Sequence, residues 1–159
     1  MTVGLLTIGL SGFLFGQSKG SPSAWPKFSE LSRNDEARLE QQRAVIESAA
    51  KRYGARLSKT KTDLPVLQKL IDDGVFKKSQ RYELQCLGVA FGDVLTSEFP
   101  LRWVMVTDEY GTDPTLLFKK TTVQINALTM ISKRVENDEH VNLSELVRIT
   151  REQLAQIDQ

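Results

Sequence analysis

Between Ser32 and Leu57 side chains of one kind recur in steps of three and four: Leu39, Ile46, Ala50 and Tyr53 are apolar or aromatic, with Arg43 on the same stripe. That period predicts a helix with one narrow buried face. Ser32 followed by Asp35 places an acid three positions after an N-cap, which satisfies the orphan amides of a helix start. Gly54 offers the left-handed residue that ends it. A second helix is expected from Thr62 or Asp63, with Pro65 in its first turn, where the missing N–H costs nothing. Leu64, Leu67, Leu70 and Ile71 make its apolar side, and Gly74 stops it. The third, "QRYELQCLGVAFGDVLTSEF", takes Ser79 as its cap. Leu84, Leu87, Phe91, Val94 and Leu95 line one face, and Cys86, Val89 and Ala90 widen it, so this helix is expected to be buried on more than one side. Gly88 and Gly92 each cost about 1 kcal/mol relative to Ala in helix propensity. Two such costs one turn apart predict the close approach of a neighbouring backbone, within the monomer or across a dimer.

After Pro100 the period changes to two. "LRWVMVTD", "PTLLFKKT" and "TVQINAL" are rich in β-branched and aromatic residues and are bounded by Gly, Pro and Asp. In the first, Trp103 and Met105 face one way and Val104 and Val106 the other, so both faces should be covered. Short connections predict an antiparallel meander. Helix returns with "LTMISKRVEND" and again from Asn142, where Glu145 repeats the capping arrangement and Leu143, Val147, Leu154 and Ile157 share a face. The order α-α-α-β-β-β-α-α predicts an α+β domain, with helices packed on a small three-stranded antiparallel sheet.

The amino terminus breaks the pattern. Residues 1–16, "MTVGLLTIGLSGFLFG", carry no charged side chain. A secretory signal would have a basic stretch before the apolar run, and none is present. A membrane span needs about 20 apolar residues, and this run is at or below the limit. The third reading, favoured over the other two, is a segment that docks on the domain or associates weakly with a membrane surface. Compartment stays open with it: cytoplasmic or membrane-associated, or exported if residues 1–18 are removed as a signal. The Ser, Gly and Pro that follow read as a linker, so the expected organisation is an apolar segment and linker over 1–28 and one α+β domain over 29–159.

Charge and composition narrow the chemistry. Lys and Arg number 21 against 20 acids, for a net charge of +1, so nothing concentrates positive charge for nucleic acid. The longest basic run, Arg56 to Lys61, lacks interleaved aromatics and reads as a solvated loop. With one Cys and one His in the chain, neither an internal disulfide nor a zinc site of the usual N/S type is expected. Cys86 reads as a buried, inert small hydrophobe and His140 as an exposed loop residue. No metal ligand, cofactor or catalytic residue is assigned.

The stretch Asp108-Glu109-Tyr110-Gly111-Thr112-Asp113 is the most suggestive. Asp and Gly favour turns by local hydrogen bonding and tolerance of positive φ, so a hairpin turn is the simplest reading. Tyr110 keeps a partner-binding role open, because an exposed tyrosine on a rigid hairpin is a usable interface anchor. Asp93 and Glu98 are weaker candidates to join this acidic group; Asp93 reads equally as a polar-face residue or a partner for Arg102.

The elements "YELQCLGVAFGDVL", "LRWVMVTDEYGTDPTLLF" and "INALTMISKRVE" together resemble a bacterial domain-of-unknown-function family, number 3806, over about residues 80–136. The resemblance implies a bacterial source and a single domain through the carboxy-terminal helices, and it carries no reaction or site residue.

Two functions are weighed. The leading one is a small non-enzymatic protein-binding domain, such as an immunity or accessory factor for a secreted toxin, using Asp108, Glu109, Tyr110 and Asp113 to engage another, basic protein. The alternative is a carboxylate-dependent hydrolase at Asp108–Asp113, with Arg102 or Lys133 holding an anionic substrate; carboxylates gathered in a closed cleft would favour it.

Overall fold

The α3 helix, Arg81–Glu98, is the centre of the molecule: its residues from Cys86 to Leu95 are all buried. A helix apolar all round has to be enclosed by other elements. The computed structural model describes residues 7–8 and 26–158, and within them α1 (Arg33–Lys51), α2 (Leu64–Asp72) and α4 (Ala127–Glu136) pack against α3, while α5 (Leu143–Ile157) packs on α2. The sheet is formed by β1 (Thr7–Ile8), β2 (Lys27–Ser29), β3 (Leu101–Asp108), β4 (Gly111–Phe118) and β5 (Gln124–Ile125). Its order is β1-β5-β4-β3-β2. The four strands from β5 to β2 are antiparallel, and β1 adds to the free edge of β5 in parallel.

This is the expected α+β fold with two more strands than the sequence suggested. Lys27–Ser29, at the end of the stretch read as a linker, pairs with Met105–Thr107. Residues 1–6 and 9–25 lie outside the described residues, and with them most of the apolar run. Among the described residues no helix is long and apolar enough to cross a membrane.

Local signals placed most helix ends. The Ser32 hydroxyl accepts from the Asp35 amide at 3.2 Å, and the Asp35 carboxylate accepts from the Ser32 amide at 2.9 Å. The Ser32 hydroxyl also donates to the Asp35 carboxylate at 2.6 Å, and this bond, with that from the Ser32 amide, holds the Asp35 carboxyl below the usual carboxylate range. Its contribution is therefore complete above the ordinary Asp pKa and is lost as pH falls through the lowered value. Ser32→Ala is expected to cost about 1 kcal/mol in urea unfolding at pH 7, and less at a pH below the titration of Asp35. Gly54 and Gly74 take left-handed φ values of 69° and 60° after α1 and α2.

Other ends were set by contacts at a distance. Asp63 is the N-cap residue of α2, but its buried carboxylate turns backwards and accepts from the amides of Ser58 and Lys59 at 2.7–3.0 Å. The basic loop is pinned by this group. Ser79 does not cap α3; Gln80 occupies that place, with its side chain accepting from the Lys77 amide. Tyr53 is not on the buried stripe of α1. It lies past the helix end, partly exposed, and its hydroxyl donates to Asp73.

The glycine pair marks a close approach within the chain. A Cβ on Gly88 would lie 2.5 Å from the carbonyl oxygens of Ala127 and Leu128, at the start of α4. A Cβ on Gly92 would meet the Trp103 ring at 2.4 Å. Cys86 is fully buried, and burial pushes its thiol up to about 11. It is expected to stay unmodified by a thiol reagent at pH 8 in native protein and to react fully once the chain is unfolded in urea.

Candidate functional site

The β3–β4 hairpin closes with Asp108 opposite Gly111, leaving only Glu109 and Tyr110 in the turn. Thr112 and Asp113, read as part of the turn, are in the ladder opposite Thr107 and Val106. Pro114 lies within β4 and not at its start. It is tolerated because β5 pairs only with Leu116 and Leu117, so the proline interrupts no ladder on that side.

The turn is locked by short-range bonds. Asp108 Oδ1 accepts from the Tyr110 amide at 2.8 Å, and the hydroxyls of Thr107 and Thr112 are 3.0 Å apart. An Asp bonded to the amide two residues on is the local device that makes Asp a turn former. Asp108 therefore has a structural task. Tyr110, by contrast, is 89% exposed. The Glu109 carboxylate beside its hydroxyl raises the pKa of the phenol.

Strand register sorts the acids. Asp113 is opposite Val106 and Asp108 opposite Gly111, so both project from the sheet face that carries Val104 and Val106. Glu109 is exposed in the turn. The structure thus brings the four predicted residues to one protruding tip, where Glu109, Tyr110 and Asp113 are exposed. It does not enclose the four together in a cleft; Asp113 alone of them lines the open groove beside the hairpin. Arg102 is six residues back along β3, about 20 Å at strand rise, and donates to the Lys119 carbonyl and to Glu30. Glu98 is at that far end too, beside Arg151. Neither joins the acidic group. Lys133 is exposed in the last turn of α4 and His140 in the loop before α5. Among the described residues no group of three or more His, Cys, Asp or Glu side chains is placed to hold a metal ion.

Beside the hairpin runs a groove of about 200 Å³, lined by Asp35 and Arg38 of α1, Tyr82 and Gln85 of α3, and Met105, Asp113 and Pro114 of the sheet. Tyr82 is 51% exposed. No stretch of the sequence could have shown this groove, because residues of α1, α3, α4 and the hairpin meet to form it.

Asp93 is the other residue the sequence misplaced. Its carboxylate is buried and is held by a fork from Arg43, Nε to Oδ2 at 2.7 Å and Nη2 to Oδ1 at 2.9 Å. The Trp103 indole N–H donates to Oδ1 at 3.0 Å. This pairing raises the Arg43 pKa further above its ordinary value. Arg102 is not its partner. The available signal was Arg43 itself, since an arginine on the buried stripe of a helix requires a buried acid opposite. With both oxygens committed, Asp93 ties α1 and α3 to β3.

Helices layered on one face of an antiparallel sheet, with an exposed aromatic and acids at the tip of its central hairpin, define a small α+β domain. A model of the family described as Domain of unknown function (DUF3806) matches residues 63–146, more than half of the chain, and the chain belongs to that family. The match extends beyond residues 80–136 and takes in α2 and the start of α5. The fold is similar to a crystal structure of a protein from Bacteroides thetaiotaomicron VPI-5482, with a TM-score of 0.70 at 17% identity. The likeness covers 77% of this chain and 46% of that one, so the chain spans about half the length of that protein. At this identity it shows the fold alone. No match is found among curated proteins.

Proposed function

We propose that this is a protein-binding domain whose contact is the β3–β4 hairpin, with Tyr110 as the anchor and Glu109 and Asp113 as the acidic rim. The observation that carries the reading is the 89% exposure of Tyr110 on a turn fixed by the Asp108 side chain. A large aromatic ring held in water by a rigid support gains on binding without losing much backbone freedom. The flanking acids select a basic partner and speed its encounter. An immunity or accessory factor for a secreted, basic toxin is the specific role this reading carries.

The test separates turn from interface. Tyr110→Ala leaves the Asp108 carboxylate bonded to the residue 110 amide, so thermal stability should change by no more than about 0.5 kcal/mol. Capture of a stoichiometric partner from the native cell extract should fall at least tenfold with Tyr110→Ala. For wild type the association rate should drop between 0.05 and 0.5 M salt. Equal capture of that partner by wild type and variant would return the hairpin to the role of a turn.

A further inference from the structure

The groove beside the hairpin is lined by three glutamines, Gln41 and Gln42 of α1 and Gln85 of α3. Among the described residues no protein group pairs with their side-chain amides. Beneath them Leu39, Met105 and Leu128 are buried and make an apolar floor. A cleft of about 290 Å³ between α1 and the loop before α2 is the contrast. Its buried acids, Asp63 and Asp93, are already bonded by Ser58, Lys59 and Arg43. That cleft is satisfied by its own chain, whereas the groove presents spare donors and acceptors over an apolar surface, the make-up of a ligand site.

Charge decides which ligand fits. Asp35 and Arg38 are three residues apart on α1, where side chains are neighbours and opposite charges offset each other. Asp113 comes from the part of β4 that β5 does not pair with, and among the described residues it has no ion-pair partner. One negative charge is thus left over at the rim. Tyr82, 51% exposed, offers a ring face on which a guanidinium stacks. Met105 and Leu128 offer surface to a methylene stem. From this arrangement we infer that the groove takes an extended, arginine-bearing segment of the basic partner, its guanidinium between Tyr82 and Asp113 and its main-chain amides on the glutamines. The inference rests on the protein-binding reading of the hairpin, which the groove adjoins through Met105 and Pro114.

The probe is the pentapeptide Ala-Ala-Arg-Ala-Ala, acetylated and amidated, titrated into the full-length chain at low salt. Amide proton–nitrogen spectra should show Tyr82, Gln85 and Met105 shifting with a dissociation constant of about 1 mM. Citrulline in place of the arginine keeps the shape without the charge and should bind about fivefold more weakly. Tyr82→Ala, at a half-exposed position, should weaken the arginine peptide about three- to fivefold. Arg38→Gln removes a like charge and should tighten it about twofold. Equal binding of the citrulline peptide would overturn the proposal, as would the absence of shifts in the groove. Weaker binding by Arg38→Gln would do the same, since it would mark an anionic ligand. Tyr110 does not line the groove, so Tyr110→Ala should leave the titration unchanged and the two readings fail separately. Partner capture lost in Tyr110→Ala, with no peptide bound, would keep the hairpin as an interface and strike the groove. Peptide bound as expected, with capture indifferent to Tyr110→Ala, would support the groove and strike the hairpin.

Discussion

Arg43→Met is expected to lower the stability of the domain by about 3 kcal/mol, read as a reduced urea midpoint followed by circular dichroism. Arg43 forks both oxygens of Asp93, whose side chain is 6% exposed. Removing one partner of such a pair leaves a carboxylate in a poorly solvated site, which costs about 3–5 kcal/mol. The lower end applies because Arg43 is itself 19% exposed and its loss opens a path for water. Glu40, the other acid on Arg43, adds little, since its side chain is 66% exposed and hydrates freely. The double variant Arg43→Met/Asp93→Leu removes the stranded charge along with the cation and should recover to within about 1 kcal/mol of wild type. A strongly unstable double variant beside a mild single one would show that the pair acts through packing and not through charge. Trp103 provides a second readout: with Arg43 gone its indole N–H is the remaining donor to Asp93 among the bonds described, so its emission should shift in Arg43→Met before any unfolding.

That pair also shows where reading the sequence stops. Features that depend on a few consecutive residues were legible: the Ser32–Asp35 cap, the left-handed Gly54 and Gly74, the forward bond from Asn142 to the Glu145 amide. The central burial of α3 was legible as well, because an apolar surface all round a helix has one physical solution. The partner of Asp93 was not, as it is fifty residues away on another helix, and nothing local to either residue selects the pairing. Asp63 misled for a related reason. A cap and a backward clamp on a basic loop use the same carboxylate, and only the folded loop decides between them. The edge strands β1 and β2 are too short for a period of two to register, so a three-stranded sheet was all the pattern could support. In the candidate site, the exposure of Tyr110 followed from the turn, whereas the groove beside it needed α1, α3, α4 and the hairpin in place.

Gly88→Val is expected to cost about 3 kcal/mol, and Gly88→Ala between 1 and 2 kcal/mol. The atoms that a new Cβ meets first are the carbonyl oxygens of Ala127 and Leu128, each at 2.5 Å. These are backbone atoms and cannot rotate away. The first residue of α4 follows two positions after Ile125 of β5, and the Leu128 side chain is packed with Leu39 and Val89. Relief therefore requires moving the start of α4 away from α3, against both the sheet and the core, and overpacking of this kind costs about 1–3 kcal/mol. The alanine variant regains about 1 kcal/mol of helix propensity. The valine variant regains less and adds two methyl groups. Gly92→Ala should behave differently. Its Cβ meets the Trp103 ring at 2.4 Å, a side chain that can tilt, but tilting pulls the indole N–H off Asp93. The signature of Gly92→Ala is thus a changed Trp103 emission, and that of Gly88→Ala a lowered midpoint with the emission retained. Stabilisation of Gly88→Ala by about 1 kcal/mol, the gain a helix makes when nothing opposes the methyl group, would mean that α3 and α4 do not approach each other at this glycine.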